Sequence, residues 1–253
     1  MERLPLRKLA LLVEYAGTSY HGFQSQSGLP TIQSEIERGL ERLTGERVRV
    51  VGAGRTDAGV HAEGQVVSFS TNSSLSPQTV LRGLNHYLRP AIAVKAASEV
   101  AVDFNARRNA VSREYRYTVV NSGTPSPLKE EYAYRVPVPV AADAMNEAGQ
   151  CLLGKHDFAS FTGPTDRGTV REVYRAEISK ERDLVFFDMA ANSFLPKQVR
   201  ATMGALLRVG LRKLTPDGFR QMLEAKKPGL AGPVVPARGL CLMRVNYRQE
   251  IFS

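Results

Sequence analysis

The sequence predicts a mixed α+β fold, and three observations carry that reading. Short apolar runs rich in β-branched residues, such as residues 8–15 (K-L-A-L-L-V-E-Y), have the length and character of buried strands. Other segments carry apolar residues at helical spacing, several of them just after a Ser or Thr suited to capping a helix. The order strand, helix, strand, strand, helix, strand occurs in residues 1–105 and again, with larger insertions, in residues 106–253. These two halves are the expected domains.

After the first strand comes a polar, Gly-containing loop, residues 17–26. Thr31 caps a helix whose stripe is Ile32, Ile36, Leu40 and Leu43, with Gly45 just past its end. Residues 48–51 and 66–69 read as strands on either side of a Gly-rich loop. Ser76 followed by Pro77 opens a second helix with Val80, Leu81, Leu84 and Leu88 inward, and residues 91–97 return as a strand. In the second half, residues 113–120 (R-E-Y-R-Y-T-V-V) form a strand, and Ala141, Met145, Ala148 and Leu152 stripe a helix. Residues 170–179 and 184–191 make a hairpin. Pro196 opens a helix with Val199, Met203 and Leu206 inward; Thr215 and Pro216 start another with Phe219, Met222 and Leu223; residues 240–247 close as a strand.

The chain has 253 residues, a formal charge of +9 and a pI near 9.7, which favours a polyanionic partner. The excess is uneven. Residues 1–105 carry 11 Lys/Arg against 10 Asp/Glu, and residues 106–253 carry 23 against 15, so backbone affinity for nucleic acid belongs mostly to the second half. No apolar run approaches the roughly 18 residues that a membrane span needs, and the start, M-E-R-L-P-L-R-K, lacks an apolar export core. A cytoplasmic location is the expectation. Cys151 and Cys241 stand alone without a metal-binding spacing, so neither a disulfide nor a metal is expected.

The chemistry concentrates in residues 51–65, V-G-A-G-R-T-D-A-G-V-H-A-E-G-Q. Glycines let a loop take positive φ and approach other groups closely, while flanking strands fix where its side chains point. Asp57 sits between Arg55 and Thr56 on one side and Ala58 on the other, so its carboxylate has a guanidinium and a hydroxyl near it in sequence to orient it. An Asp in such a turn often serves only its own backbone. A phosphate loop fails on spacing, because Asp57 stands where a dinucleotide fingerprint needs its third glycine and no Gly-Lys-Ser/Thr follows.

The run 54–62, G-R-T-D-A-G-V-H-A, resembles the signature of the TruA-type tRNA pseudouridine synthases, whose aspartate is catalytic. Other matches follow in order: residues 15–24 (Y-A-G-T-S-Y-H-G-F-Q, with Phe23 where tryptophan is usual), 154–161 (G-K-H-D-F-A-S-F) and 237–247 (A-R-G-L-C-L-M-R-V-N-Y). The resemblance implies two ferredoxin-like βαββαβ halves with sheets joined across a central RNA-binding cleft. It also implies isomerisation of uridine to pseudouridine in the anticodon stem-loop of tRNA, with Asp57 as nucleophile, no cofactor, and a homodimer.

Tyr115 and Tyr117 lie two apart on a strand and so face one side, with Arg116 on the other. By resemblance Tyr115 contacts the target base, and Arg200, ending F-L-P-K-Q-V-R, pairs with Asp57. Pro196, Lys197 and Gln198 stand where the family commonly has histidines and a methionine. Arg55 completes the catalytic set, Thr56 joins the substrate contacts, and Arg107 and Arg108 are expected on phosphates, with Arg212, Lys213, Lys226 and Lys227 as further candidates. His61 and His156 read as solvated loop histidines.

Two other classes compete. An RNA-binding module without chemistry lacks here the aromatic strand motif it needs, and a glycosidase would use Glu63 as a second carboxylate beside Asp57.

Overall fold

The computed structural model describes residues 6–88, 90–166 and 168–252. Part of the start of the chain, on which the export reading rested, therefore lies outside the described residues. The chain forms two compact units, Met1–Val111 with Leu242–Ser253, and Ser112–Cys241.

In the first unit, β1 (Arg7–Tyr15) is followed by α1 (Ile32–Thr44), β2 (Val51–Gly52), β3 (His61–Thr71), α2 (Pro77–Tyr87) and β4 (Ile92–Val100). The sheet runs β4, β1, β3 and then the closing strand of the chain, Leu240–Tyr247. β1 is antiparallel to both neighbours, with Leu9 opposite Phe69, and Leu11 opposite Val67 on one side and Ala97 on the other. α1 begins at Thr31, whose hydroxyl takes the Ser34 amide while Ser34 returns a bond to Thr31, and ends at Gly45 in the left-handed region. Ile32, Ile36, Leu40, Val80 and Leu84 are buried from the two helices, as the stripes predict.

Three local expectations change. Residues 48–50 do not extend β2, because α1 takes their backbone: the Val50 amide donates to the Glu37 carboxylate at 3.0 Å, and the Gln33 amide donates to the Val50 carbonyl at 3.4 Å. β3 begins at His61, five residues before the strand read from sequence, with Gln65 opposite Val13 and Ala62 opposite Tyr15. The end of the chain groups with the first unit, whereas chain order put it in the second half. There the Tyr247 hydroxyl donates to the Ala106 carbonyl at 2.6 Å, and its ring lies 5.4 Å from that of Phe104.

The second unit is built from β5 (Ala110–Asn121), most of which lies in it, β6 (Tyr134–Val136), α3 (Ala142–Gly149), β7 (Gly154–Asp157), β8 (Val170–Glu181), β9 (Leu184–Ala191), α4 (Gln198–Gly210) and α5 (Pro216–Glu224). Its sheet order is β5, β9, β8, β7, with β6 parallel to β5. Tyr115 and Ala176 both stand opposite Met189, and Tyr117 and Ile178 both stand opposite Phe187. One sheet face therefore carries Tyr115, Tyr117, Met189, Phe187, Ala176 and Ile178, all buried.

Pro196 does not open α4. Lys197 intervenes in the left-handed region at φ 61°, so the helix starts at Gln198 without a side-chain cap. Gln198 instead closes the turn from its own side chain, accepting the Leu195 amide at 2.8 Å while its backbone amide donates to the Leu195 carbonyl at 3.2 Å. No helix among the described residues is long and apolar enough to cross a membrane.

Candidate active site

Asp57 lies at the tip of the loop between β2 and β3 and is half-buried. The tip is a tight turn. Its carbonyl accepts the Val60 amide at 3.1 Å, and Gly59, in the third position, has φ 77°. That position of such a turn requires positive φ, which explains the A-G pair after the aspartate.

The loop is braced from two sides within the first unit. At its base the Gln65 side chain, fully buried, accepts the Gly54 amide at 3.3 Å and donates to the Gly54 carbonyl at 2.9 Å. Beneath it the hydroxyls of Thr56 and Tyr15 meet at 2.8 Å, and the Gln65 amide reaches the Tyr15 hydroxyl at 3.4 Å. The second brace is the segment after β1. The Phe23 amide donates to the Thr56 carbonyl at 3.0 Å, and the Gly59 amide to the Tyr20 carbonyl at 3.4 Å. The packing leaves no space for side chains. A Cβ on Gly17 would stand 2.0 Å from the Val60 carbonyl oxygen, and one on Gly22, already at φ 88°, would stand 2.7 Å from the Thr56 carbonyl oxygen.

This geometry revises three readings. Thr56 is buried and points its hydroxyl to Tyr15, so it anchors the loop. Arg55 is exposed and makes no ion pair among the described residues, so the pairing with the carboxylate expected from sequence is not formed there. His61 is 5% exposed and begins β3; its Nδ1 accepts the Gly17 amide at 3.2 Å, which makes it a neutral structural acceptor in place of a solvated loop residue. His156 is half-buried with Nε2 at 2.7 Å from the Leu153 carbonyl.

Also in the first unit, Arg107 and Arg108 are exposed on a loop whose backbone is fixed. Both amides donate to the Asn105 carboxamide oxygen, at 3.0 and 3.1 Å, and the Ala106 amide donates to Ser68 Oγ at 3.1 Å. Glu63 is exposed on β3.

The second unit carries Tyr115 and Arg200. Tyr115 is 7% exposed, with its ring edge-on to Phe194 at 5.0 Å. Arg200 is half-buried on α4, and its Nε donates to the Val235 carbonyl at 2.9 Å, which sets it apart from an ordinary surface arginine. On the opposite sheet face Arg116 makes a two-point pair with Asp188, at 2.8 and 2.9 Å, and Arg175 shares the same carboxylate. Arg212, Lys213, Lys226 and Lys227 are all exposed. Cys151 is a free thiol, and burial pushes it up from its ordinary pKa. Sequence spacing gives no hint of the Tyr15, Gln65 and Gly17 contacts, since it puts Gln65 at the end of the loop and the structure puts it within β3.

Likeness to known proteins extends over most of the chain. The family model described as tRNA pseudouridine synthase matches residues 11–107 and 148–248. The chain is similar to tRNA pseudouridine synthase A of Roseiflexus castenholzii, 44% identical over 250 residues that cover 97% of this chain and 92% of that protein. It is similar to the same-named protein of Acetivibrio thermocellus, 39% identical over 244 residues, covering 96% of this chain and 100% of that one. Among solved structures, a chain of the archaeal box H/ACA sRNP Nop10-Cbf5 complex is 14% identical with a TM-score of 0.36, over 79% of this chain and 44% of that chain.

Proposed function

The chain belongs to the tRNA pseudouridine synthase family, an isomerase family acting on tRNA, and we propose that Asp57 is the nucleophile with which it converts uridine to pseudouridine in the anticodon stem-loop. The observation that carries this assignment is the bracing of the Asp57 loop. A turn that merely reverses the chain has no use for a buried glutamine at its base, a hydroxyl pair beneath it and two glycines that a methyl group would displace. A reacting carboxylate does, because small misplacements of a reacting group are costly in rate.

The reaction breaks the C1′–N1 bond, turns the uracil within the site and joins C5 to C1′, after which C5 gives up its proton. Attack by the carboxylate on the sugar or on the base forms a covalent adduct in either case, and neither route calls for a cofactor. The target base leaves its stack to react, and the cost is offset by stacking and phosphate contacts. We assign Tyr115 to the base and Arg200 to the support of Asp57, on the family resemblance. Arg55, Arg107 and Arg108 are exposed cations suited to the RNA backbone, and Thr56 supports the substrate site through the loop it anchors. A homodimer working in the cytoplasm completes the reading.

The test is incubation of the purified chain with an unmodified tRNA transcript, followed by chemical labelling of pseudouridine and an assay for free uracil. Pseudouridine without uracil is expected. Free uracil would point to glycoside hydrolysis involving Glu63, and tight binding with neither product would leave only an RNA-binding protein; both outcomes contradict the proposal.

A further inference from the structure

We infer that Tyr117 is a positioning residue for Arg200, acting through the two consecutive carbonyls of Val235 and Pro236; the inference rests on the reading that Arg200 supports the reaction at Asp57. Tyr117 is on β5 and fully buried, and its hydroxyl donates to the Pro236 carbonyl at 2.8 Å. Arg200 is on α4, and its Nε donates to the Val235 carbonyl at 2.9 Å. Strand and helix thus hold the same short strap by neighbouring peptide groups. Pro236 is extended, with φ −52° and ψ 145°, so its carbonyl and the one before it face different sides and serve two different elements.

The strap has little freedom to absorb a change. Pro233 and Pro236 fix φ at two of its positions. Its end is pressed on the strand, since a Cβ on Gly239 would stand 2.5 Å from Tyr117 Cζ and 2.9 Å from the Thr118 carbonyl oxygen. Its start is pressed on the helix, since a Cβ on Gly204 would stand 2.7 Å from the Pro233 carbonyl oxygen. Burial pushes the Tyr117 phenol well above its ordinary pKa, and the Arg200 charge pulls the other way.

The consequence concerns the guanidinium. With Nε held, the plane of the group is set and its two terminal nitrogens form a fork of fixed direction. Without the Tyr117 hydroxyl the Pro236 carbonyl loses that donor, the strap, too constrained to absorb the loss locally, shifts as a unit, and the Val235 carbonyl that aims the fork shifts with it. A tyrosine that only filled the core would have no such effect, because phenylalanine fills the same volume.

Tyr117→Phe tests this with two readouts. The first is the Arg200 Nε–H resonance in arginine-labelled protein: the inference expects its protection from solvent exchange to drop in Tyr117→Phe, and unchanged protection overturns it. The second is turnover on unmodified tRNA. The expected result is a fall of about ten-fold in kcat with KM unchanged, and less than multiplicative loss in the double variant with Arg200→Lys. Wild-type kcat in Tyr117→Phe beside a slow Arg200→Lys overturns the inference while leaving the role of Arg200 intact. Wild-type kcat in Arg200→Lys itself overturns that role, and with it the functional half of the inference, whatever the resonance shows.

Discussion

The hydroxyls of Tyr15 and Thr56 meet at 2.8 Å beneath the loop that carries Asp57. Tyr15 ends β1 and Thr56 immediately precedes the aspartate, so the last residue of one strand sets the height of Asp57 on the loop between β2 and β3. Thr56→Val keeps the shape and removes the bond, while the 3.4 Å bond from the Gln65 amide to the Tyr15 hydroxyl remains. A stability loss of about 1–3 kcal/mol is expected in denaturant titration, with kcat reduced and affinity for tRNA retained. A variant of lower stability but unaltered kcat would detach the hydroxyl pair from catalysis.

Gly22 and Gly28 both have positive φ, at 88° and 74°, but only Gly22 faces an obstacle. Nothing lies within 4 Å of a Cβ at Gly28, while one at Gly22 stands 2.7 Å from the Thr56 carbonyl oxygen. Gly28→Ala should cost roughly 1–2 kcal/mol of backbone strain and leave activity alone. Gly22→Ala should cost more and also lower kcat, because the chain following Thr56 must move. Equal effects on activity would show that the contact at Gly22 does not position the loop.

Arg107 and Arg108 are exposed, and their backbone amides are held by Asn105, an anchoring that charge reversal of the side chains leaves in place. Removing one phosphate interaction should reduce the dependence of log affinity on log salt by about 0.7 to 0.9. Binding should weaken equally for different tRNAs, since phosphate interactions position without specifying sequence. An unchanged salt slope in Arg107→Glu and Arg108→Glu excludes both from the RNA interface.

Arg200→Lys retains a positive charge but has no Nε to give to Val235 and no fork. A drop in kcat on the order of 100-fold with little change in KM is expected from stopped-time assays. A matched fall in affinity with normal kcat would instead make Arg200 a phosphate ligand.

Much of this fold was legible because its signals are local. The caps at Thr31, Ser76 and Thr215 act within three residues, and each opens the helix read from it. Errors arose where a distant group decided the outcome. Residues 48–50 have strand character, but Glu37 and Gln33 on α1 claim the Val50 backbone. β6 and β7 are three and four residues long and exist through pairing with β5 and β8, which no periodicity announces. The site divides in the same way. Asp57 stood out by its glycines and by family resemblance, whereas the partners that brace it come from β1, the segment after it and β3. Arg200 is a candidate by resemblance alone, and its bond to a carbonyl 35 residues later in the chain has no sequence signal.

The assignment of Asp57 as nucleophile puts the chemistry on its carboxylate. Its most direct test is single-turnover formation of pseudouridine by Asp57→Asn on an unmodified tRNA transcript, with enzyme in excess and binding measured in parallel. The amide keeps the shape of the side chain and loses the nucleophile, so no pseudouridine above the uncatalysed background is expected, while affinity for tRNA stays within a few-fold of wild type. Pseudouridine formed at the wild-type rate by the folded variant would contradict it.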